Sequence, residues 1–126
     1  MDVRHQKRTT IIQELYAYSF NPHGEMSTFN AKTLDIIKKQ HTLNQEIEKF
    51  ASKFPIDKIA KVDVAILQLS IYDLIIEKQE PPKVIINEAV ELAKELGSDR
   101  SFAFINAILG KIYEEYKLKF QQSNAK

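Results

Sequence analysis

The stretch KVDVAILQLSIYDLIIEK, residues 61 to 78, is apolar almost all the way round when wound as an α-helix. A surface helix needs one apolar stripe. A helix apolar on nearly every side has to be covered on every side, which is the position of a central helix in a bundle. Its one polar arc collects Asp63, Ser70, Asp73 and Glu77. The expected cover is a pair of helices at 82–96 and from 101 to about 118–120, with Leu67 in the buried middle.

The rest of the chain can supply that cover. Its 126 residues are one ordinary domain's worth, 44% hydrophobic and 28% charged, enough for a real core. Only three glycines and four prolines are present, while Ala, Leu, Ile, Glu, Lys and Gln are common, so the fold class is all-α. The first helix is expected from Val3 to Phe20, ended by the turn chemistry of Asn21-Pro22-His23-Gly24. Apolar residues from Phe29 to Phe54 predict two further helices, broken near His41-Thr42, before Pro55 stops them. Pro81-Pro82 sets the next start, because proline at the first turn lacks only a donor that would be orphaned anyway. Ile85, Ala89, Leu92 and Leu96 form one face of that helix. Gly97 is expected as its left-handed cap, Ser98 or Asp99 as the cap of the following helix. That last helix is read on a stripe of Phe102, Ile105, Leu109, Ile112 and Tyr116, with a frayed tail from Gln121 to Lys126.

Several function classes fall away. A net charge of +1 does not coat nucleic acid by bulk charge, so an anion site has to be a local patch. Cysteine is absent, which excludes disulfides and thiol chemistry and fits a reducing cytoplasm. No apolar run approaches about 18 residues and no apolar segment follows the basic N-terminus, so neither a membrane span nor a signal peptide is expected. His5, His23 and His41 are scattered without metal-ligand spacing, and isolated glycines make no phosphate-cradling loop. The carboxylates read as solvated helix faces. No enzyme activity, metal or cofactor is expected.

Binding residues are better marked. Arg4, Lys7 and Arg8, with His5 among them, occupy the first turns of the first helix, where cations oppose the macrodipole at about 0.3–1 kcal/mol each. Arg4 and Arg8 continue the azimuth of Ile11, Leu15 and Tyr18, so they prolong the buried stripe past the edge of the core. Two readings stand: a solubilising terminus, or a site for an anion such as a phosphate backbone. Phe104 lies roughly 120° from the centre of its helix's expected stripe. It either packs against a further neighbour or stacks an unpaired base, with Arg100 adding a cation near the helix start.

The segment KVIINEAVELAKELGSDRSFAFINAILGKI resembles the signature of the NusB family: P-x-K-V-x-I-N-E-A-[VI]-E-L-A-K, a glycine, then a serine and F-[VI]-N. AILQLSIYDL is similar to that family's A-[IV]-L-R-x-A-x-Y-E-L, and Arg8 followed by Gln13-Glu14-Leu15-Tyr16 to its R-x-x-A-x-Q-x-L-Y. The resemblance implies a compact two-lobed helical bundle of about six to seven helices, with lobes at about 1–54 and 56–120. It implies an antitermination factor that pairs with the ribosomal protein NusE and binds boxA-type single-stranded RNA. That pair joins RNA polymerase in an antitermination complex that supports ribosomal RNA transcription. Carried over by position, Arg4, Lys7, Arg8 and Tyr16 match one RNA-facing segment, and Arg100 and Phe104 a second. Asp73 falls where the family has a glutamate facing NusE, with Glu77 beside it on an arc expected to be open to a basic partner. Asp73→Lys would then spare the melting temperature.

The chain also departs from the family pattern. His5 and Gln6 stand where arginines are common, Gln68 replaces an arginine, and Ala107 replaces a glycine. These changes bear on RNA affinity more than on fold. A NusB-like domain also precedes the catalytic domain of some ribosomal RNA methyltransferases, for which this chain has no room. Two classes therefore remain: an RNA-binding antitermination factor, and a helical protein-interaction adaptor or homodimer without significant RNA binding.

Overall fold

The computed structural model describes residues 2–51 and 53–124, with side chains through Leu118. These residues form six α-helices and no strand: α1 (Val3–Phe20), α2 (Ala31–Lys38), α3 (Gln40–Phe50), α4 (Lys61–Ile71), α5 (Pro82–Leu96) and α6 (Ser101–Asn124). A 3-10 turn at Ile56–Lys58 precedes α4, and a π-helical segment at Tyr72–Glu77 continues it. The central position of α4 holds: it packs against α1, α3, α5 and α6, with Ile66, Leu67, Leu69 and Ile71 buried. One core cluster runs from Ile11 and Leu15 of α1 through Leu43 and Ile47 of α3 to Ile105 and Ile112 of α6.

Local chemistry sets the boundaries. Asp2 caps α1, its carboxylate accepting the Arg4 N–H at 2.9 Å, and α5 begins at Pro82. Three expectations need correction. The break between α2 and α3 falls at Lys39, not at His41–Thr42, so that Ile36 on one side and Leu43 and Ile47 on the other all reach the core. Gly97 is not left-handed: its φ of −95° and ψ of −165° are extended. A glycine is required there because a Cβ would lie 2.4 Å from Ser101 Oγ and 2.9 Å from the Ala93 carbonyl. The left-handed residue is Lys78, at φ 56° and ψ 32°, whose N–H donates to the Asp73 carbonyl at 2.9 Å and closes the π segment. Finally, α6 keeps a helical backbone through Asn124, although fraying was expected from Gln121; Ala125 and Lys126 lie outside the described residues.

The polar arc of the central helix is also not where it was expected. Asp73 is only 3% exposed, and Lys32 of α2 sets its ammonium 2.6 Å from Asp73 and 3.0 Å from Glu77. The arc therefore points into the fold, and Asp73 is closed to direct contact with a partner. Burial is the largest influence on both members of the pair, raising the Asp73 carboxyl and drawing Lys32 down. For Lys32 the two carboxylates outweigh it, so its ammonium ends above the ordinary value. The two shifts pull against each other, one marking an uncomfortable carboxylate and the other a favoured ammonium. Two carboxylates within 3.0 Å keep Lys32 charged in the fold.

Two outcomes are expected. Asp73→Ala removes the deeper partner of a half-buried ammonium and should cost about 2–4 kcal/mol in urea unfolding, most of it recovered in Lys32→Met/Asp73→Leu. Asp73→Lys should lower the melting temperature strongly. Lys78→Gly relieves a left-handed lysine and should stabilise by about 0.5–1 kcal/mol, whereas Gly97→Ala forces Ser101 against its neighbours and should cost about 1–3 kcal/mol. The opposite signs of these glycine changes are the check.

Candidate nucleic-acid interface

Of the basic residues in the first turns of α1, Arg8 and His5 are paired with carboxylates of α5 and of the residues just ahead of it. Arg8 is ion-paired with Glu80, its side chain 11% exposed, and its second terminal nitrogen lies 3.9 Å from Glu88. Arg4 approaches Glu80 at 3.7 Å but remains 77% exposed. His5 bridges two carboxylates of α5, Nδ1 meeting Glu88 and Nε2 meeting Glu95 at 3.0 Å. Lys7 is exposed. The azimuth argument is thus right for Arg8, which extends the buried stripe, but what receives it is acidic protein.

Tyr16 is 42% exposed on α1 and meets Phe20 edge to face at 4.9 Å between ring centroids. Lys61 of α4 sits 5.2 Å from the Phe20 ring. This aromatic and cationic patch is built from α1 and α4 together, and of its members only Tyr16 was singled out beforehand, by the family resemblance. By helical geometry Tyr16 and Lys7 flank the buried stripe of α1 on opposite sides, so they do not share one face.

The start of α6 corrects the reading of its two phenylalanines. Phe102, assigned to the buried stripe, is 40% exposed with Lys94 5.5 Å from its ring, whereas Phe104 is half-buried and packed against the core. The cause is Ser101. It is fully buried, accepts the Ser98 N–H at 2.9 Å, and lies within hydrogen-bonding reach of the buried Asp63 on α4. With Ser101 and Ile108 inside, the centre of the stripe turns, and Phe104 lies about 85° from it. Arg100 is exposed one turn before Phe104, whose N–H donates to its carbonyl at 3.3 Å.

The anticipated residues thus form two clusters. Arg4, Lys7 and Arg8 gather where α1 meets α5, and Arg100 and Phe104 where α6 begins. Among the described residues, no hydrogen bond, ion pair or ring contact joins Phe104 to the α1 cations or to Tyr16. One cavity of about 330 Å³ lies beside α4, against Tyr18, Asn44 and Gln68, and another of about 440 Å³ lies between the π-helical segment and α6, against Ile75, Ile112 and Tyr116. Neither is lined by any of the six residues. No group of three or more His, Asp or Glu side chains among the described residues is arranged to hold a metal ion, and no helix is long and apolar enough to cross a membrane.

Comparison with known proteins completes the picture. A sequence model of the NusB family matches residues 5–114. The transcription antitermination protein NusB of Dehalococcoides mccartyi is 32% identical, covering 86% of this chain and 88% of that protein. NusB of Clostridium kluyveri is 43% identical over 67% of this chain and 54% of its own length, so the chain spans about half the length of the first curated relatives it matches. Among solved structures, T. maritima NusB has the same fold at a TM-score of 0.78 and 25% identity, over 90% of this chain and 92% of that one. A chain from a complex of the antitermination factors NusB and NusE with dsRNA matches at 0.72 and 21% identity, over 91% of this chain and 100% of that one. With the family's motifs on α1, α4, α5 and α6 and its fold around them, the chain belongs to the NusB family.

Proposed function

We propose that the chain is a cytoplasmic transcription antitermination factor, without catalytic activity, that binds boxA-type RNA jointly with NusE. In this role it joins RNA polymerase in an antitermination complex and supports transcription of ribosomal RNA. The observation that carries this reading is agreement in sequence and fold with T. maritima NusB over nine-tenths of the chain. The complex of NusB and NusE with dsRNA supports the choice of partners, as the setting in which a chain of this fold is found.

The geometry suits a strand bound in two places. Lys7 and Arg4 offer exposed cations at the start of α1, and Arg100 offers another at the start of α6. The half-buried Phe104 ring is the aromatic surface on which one base would stack. Because Asp73 is closed off, NusE is expected to meet the partly exposed Glu77 at the end of the arc or the Tyr16–Phe20 patch. The neutralisation of Arg8 and His5 inside the fold favours a second reading, an adaptor or homodimer that leaves RNA to its partner.

A salt titration of boxA-type RNA binding separates them. With two or three exposed cations, the slope of log affinity against log salt should lie between about −1 and −2 for a single strand, and affinity should rise when NusE is added. Phe104→Leu keeps the buried edge filled while removing the ring, and should weaken RNA binding about fivefold or more without unfolding. Equal binding by wild type and Phe104→Leu would make Phe104 a packing residue only. No RNA binding with or without NusE would leave the adaptor.

A further inference from the structure

His5 is the residue at the start of α1 whose charge can change near neutral pH. Both its ring nitrogens face carboxylates from α5, Nδ1 with Glu88 and Nε2 with Glu95. A neutral imidazole has a single N–H and can donate to one of them only. Both are satisfied by the imidazolium, which donates from each nitrogen. The ring is 26% exposed and Glu88 21%, so the pair is partly withdrawn from solvent. The other charges facing this cluster are Arg8, one turn further along α1, and Glu80 ahead of α5, which also receives Arg4. With His5 protonated, three cations (Arg4, His5, Arg8) balance three carboxylates (Glu80, Glu88, Glu95).

We propose that His5 is a positioning residue. As an imidazolium it pins the first turn of α1 to α5 and so sets how Arg4, Lys7 and Arg8 meet RNA. Loss of its proton frees that turn and leaves one uncompensated carboxylate beside the cations, repelling phosphate. The proposal rests on the RNA-binding reading above and names a control on that same site. Its hydrogen bond to Glu88, then that to Glu95, holds the His5 pKa above the ordinary 6.5. A raised folded-state value fixes the sign. The clamp's contribution is complete below about 6.5 and disappears as pH rises through the higher folded value.

The experiment compares wild type, His5→Gln and His5→Arg. NMR titration should place the His5 midpoint above the ordinary imidazole value of 6.5. Amide exchange in residues 4–8 should quicken as His5 deprotonates, and His5→Gln should show fast exchange at every pH. RNA affinity of the wild type should fall about three- to tenfold between about pH 6 and about pH 8. His5→Arg should hold the high value across that range and His5→Gln the low one. A His5 midpoint at or below 6.5, or a pH dependence of RNA binding that survives in His5→Gln, would overturn the proposal. If no variant binds RNA, the functional reading fails on its own, and the ring titration and amide exchange still decide whether the clamp exists.

Discussion

A helix without a solvent face has to find an internal partner for every polar side chain it carries. That requirement on α4 and its π-helical extension organises this protein. Ser70 turns its hydroxyl back to the Ile66 carbonyl at 2.8 Å. The others reach outward, each to a different helix: Asp63 toward Ser101 of α6, Gln68 to Asn44 of α3 at 2.9 Å, and Asp73 to Lys32 of α2. Apolar packing tolerates sliding, but a buried charge or amide left unpaired costs several kcal/mol, so these contacts fix the register of the surrounding helices. Tyr72 adds a fourth tie, donating to Asp35 of α2 at 2.5 Å, which pushes its phenol up to about 12.

The same economy governs the surface. A protein with nearly balanced charge has few cations to give to a polyanion, and here α5 claims several of them. One face of α5 is apolar and pairs with α6, while Glu88 and Glu95 draw the start of α1 down. α5 therefore lies between the two clusters anticipated for RNA, and through its carboxylates the α1 terminus becomes part of the fold rather than a loose arm.

Much of this was legible in the sequence, and the failures share one cause. The bounds of α1 and α5 could be read because Asn21-Pro22 and Pro81-Pro82 act locally. The central helix could be read because apolar residues on every side allow no other place. The bend at Lys39 has no proline or glycine to announce it and exists because Ile36 and Leu43 both have to be buried. Phe102 and Phe104 exchanged roles because a serine, polar in any pattern, is buried beside Asp63 once its hydroxyl accepts the Ser98 N–H. Asp73 looked available because its partner sits on a distant helix, and His5 looked like a weakened arginine because its two carboxylates are more than 80 residues away. Periodicity sees a residue's own helix. It does not see the partner that makes a polar side chain content to be inside.

The π-helical segment at Tyr72–Glu77 has a consequence for how such a chain tolerates change in length. A ring closed from residue 78 back to residue 73 holds one residue more than an α-helical ring. Both ends of the segment are anchored independently, Tyr72 and Asp73 by α2 and the following turn by Pro81-Pro82. The spare residue sits between those anchors. Loss of one residue there would let the turn close as ordinary α-helix without moving either neighbour, whereas the same loss inside α4 would rotate every later side chain by about 100°. The junction between α4 and α5 is thus a built-in slack point, where this fold can absorb an insertion or deletion that its central helix cannot.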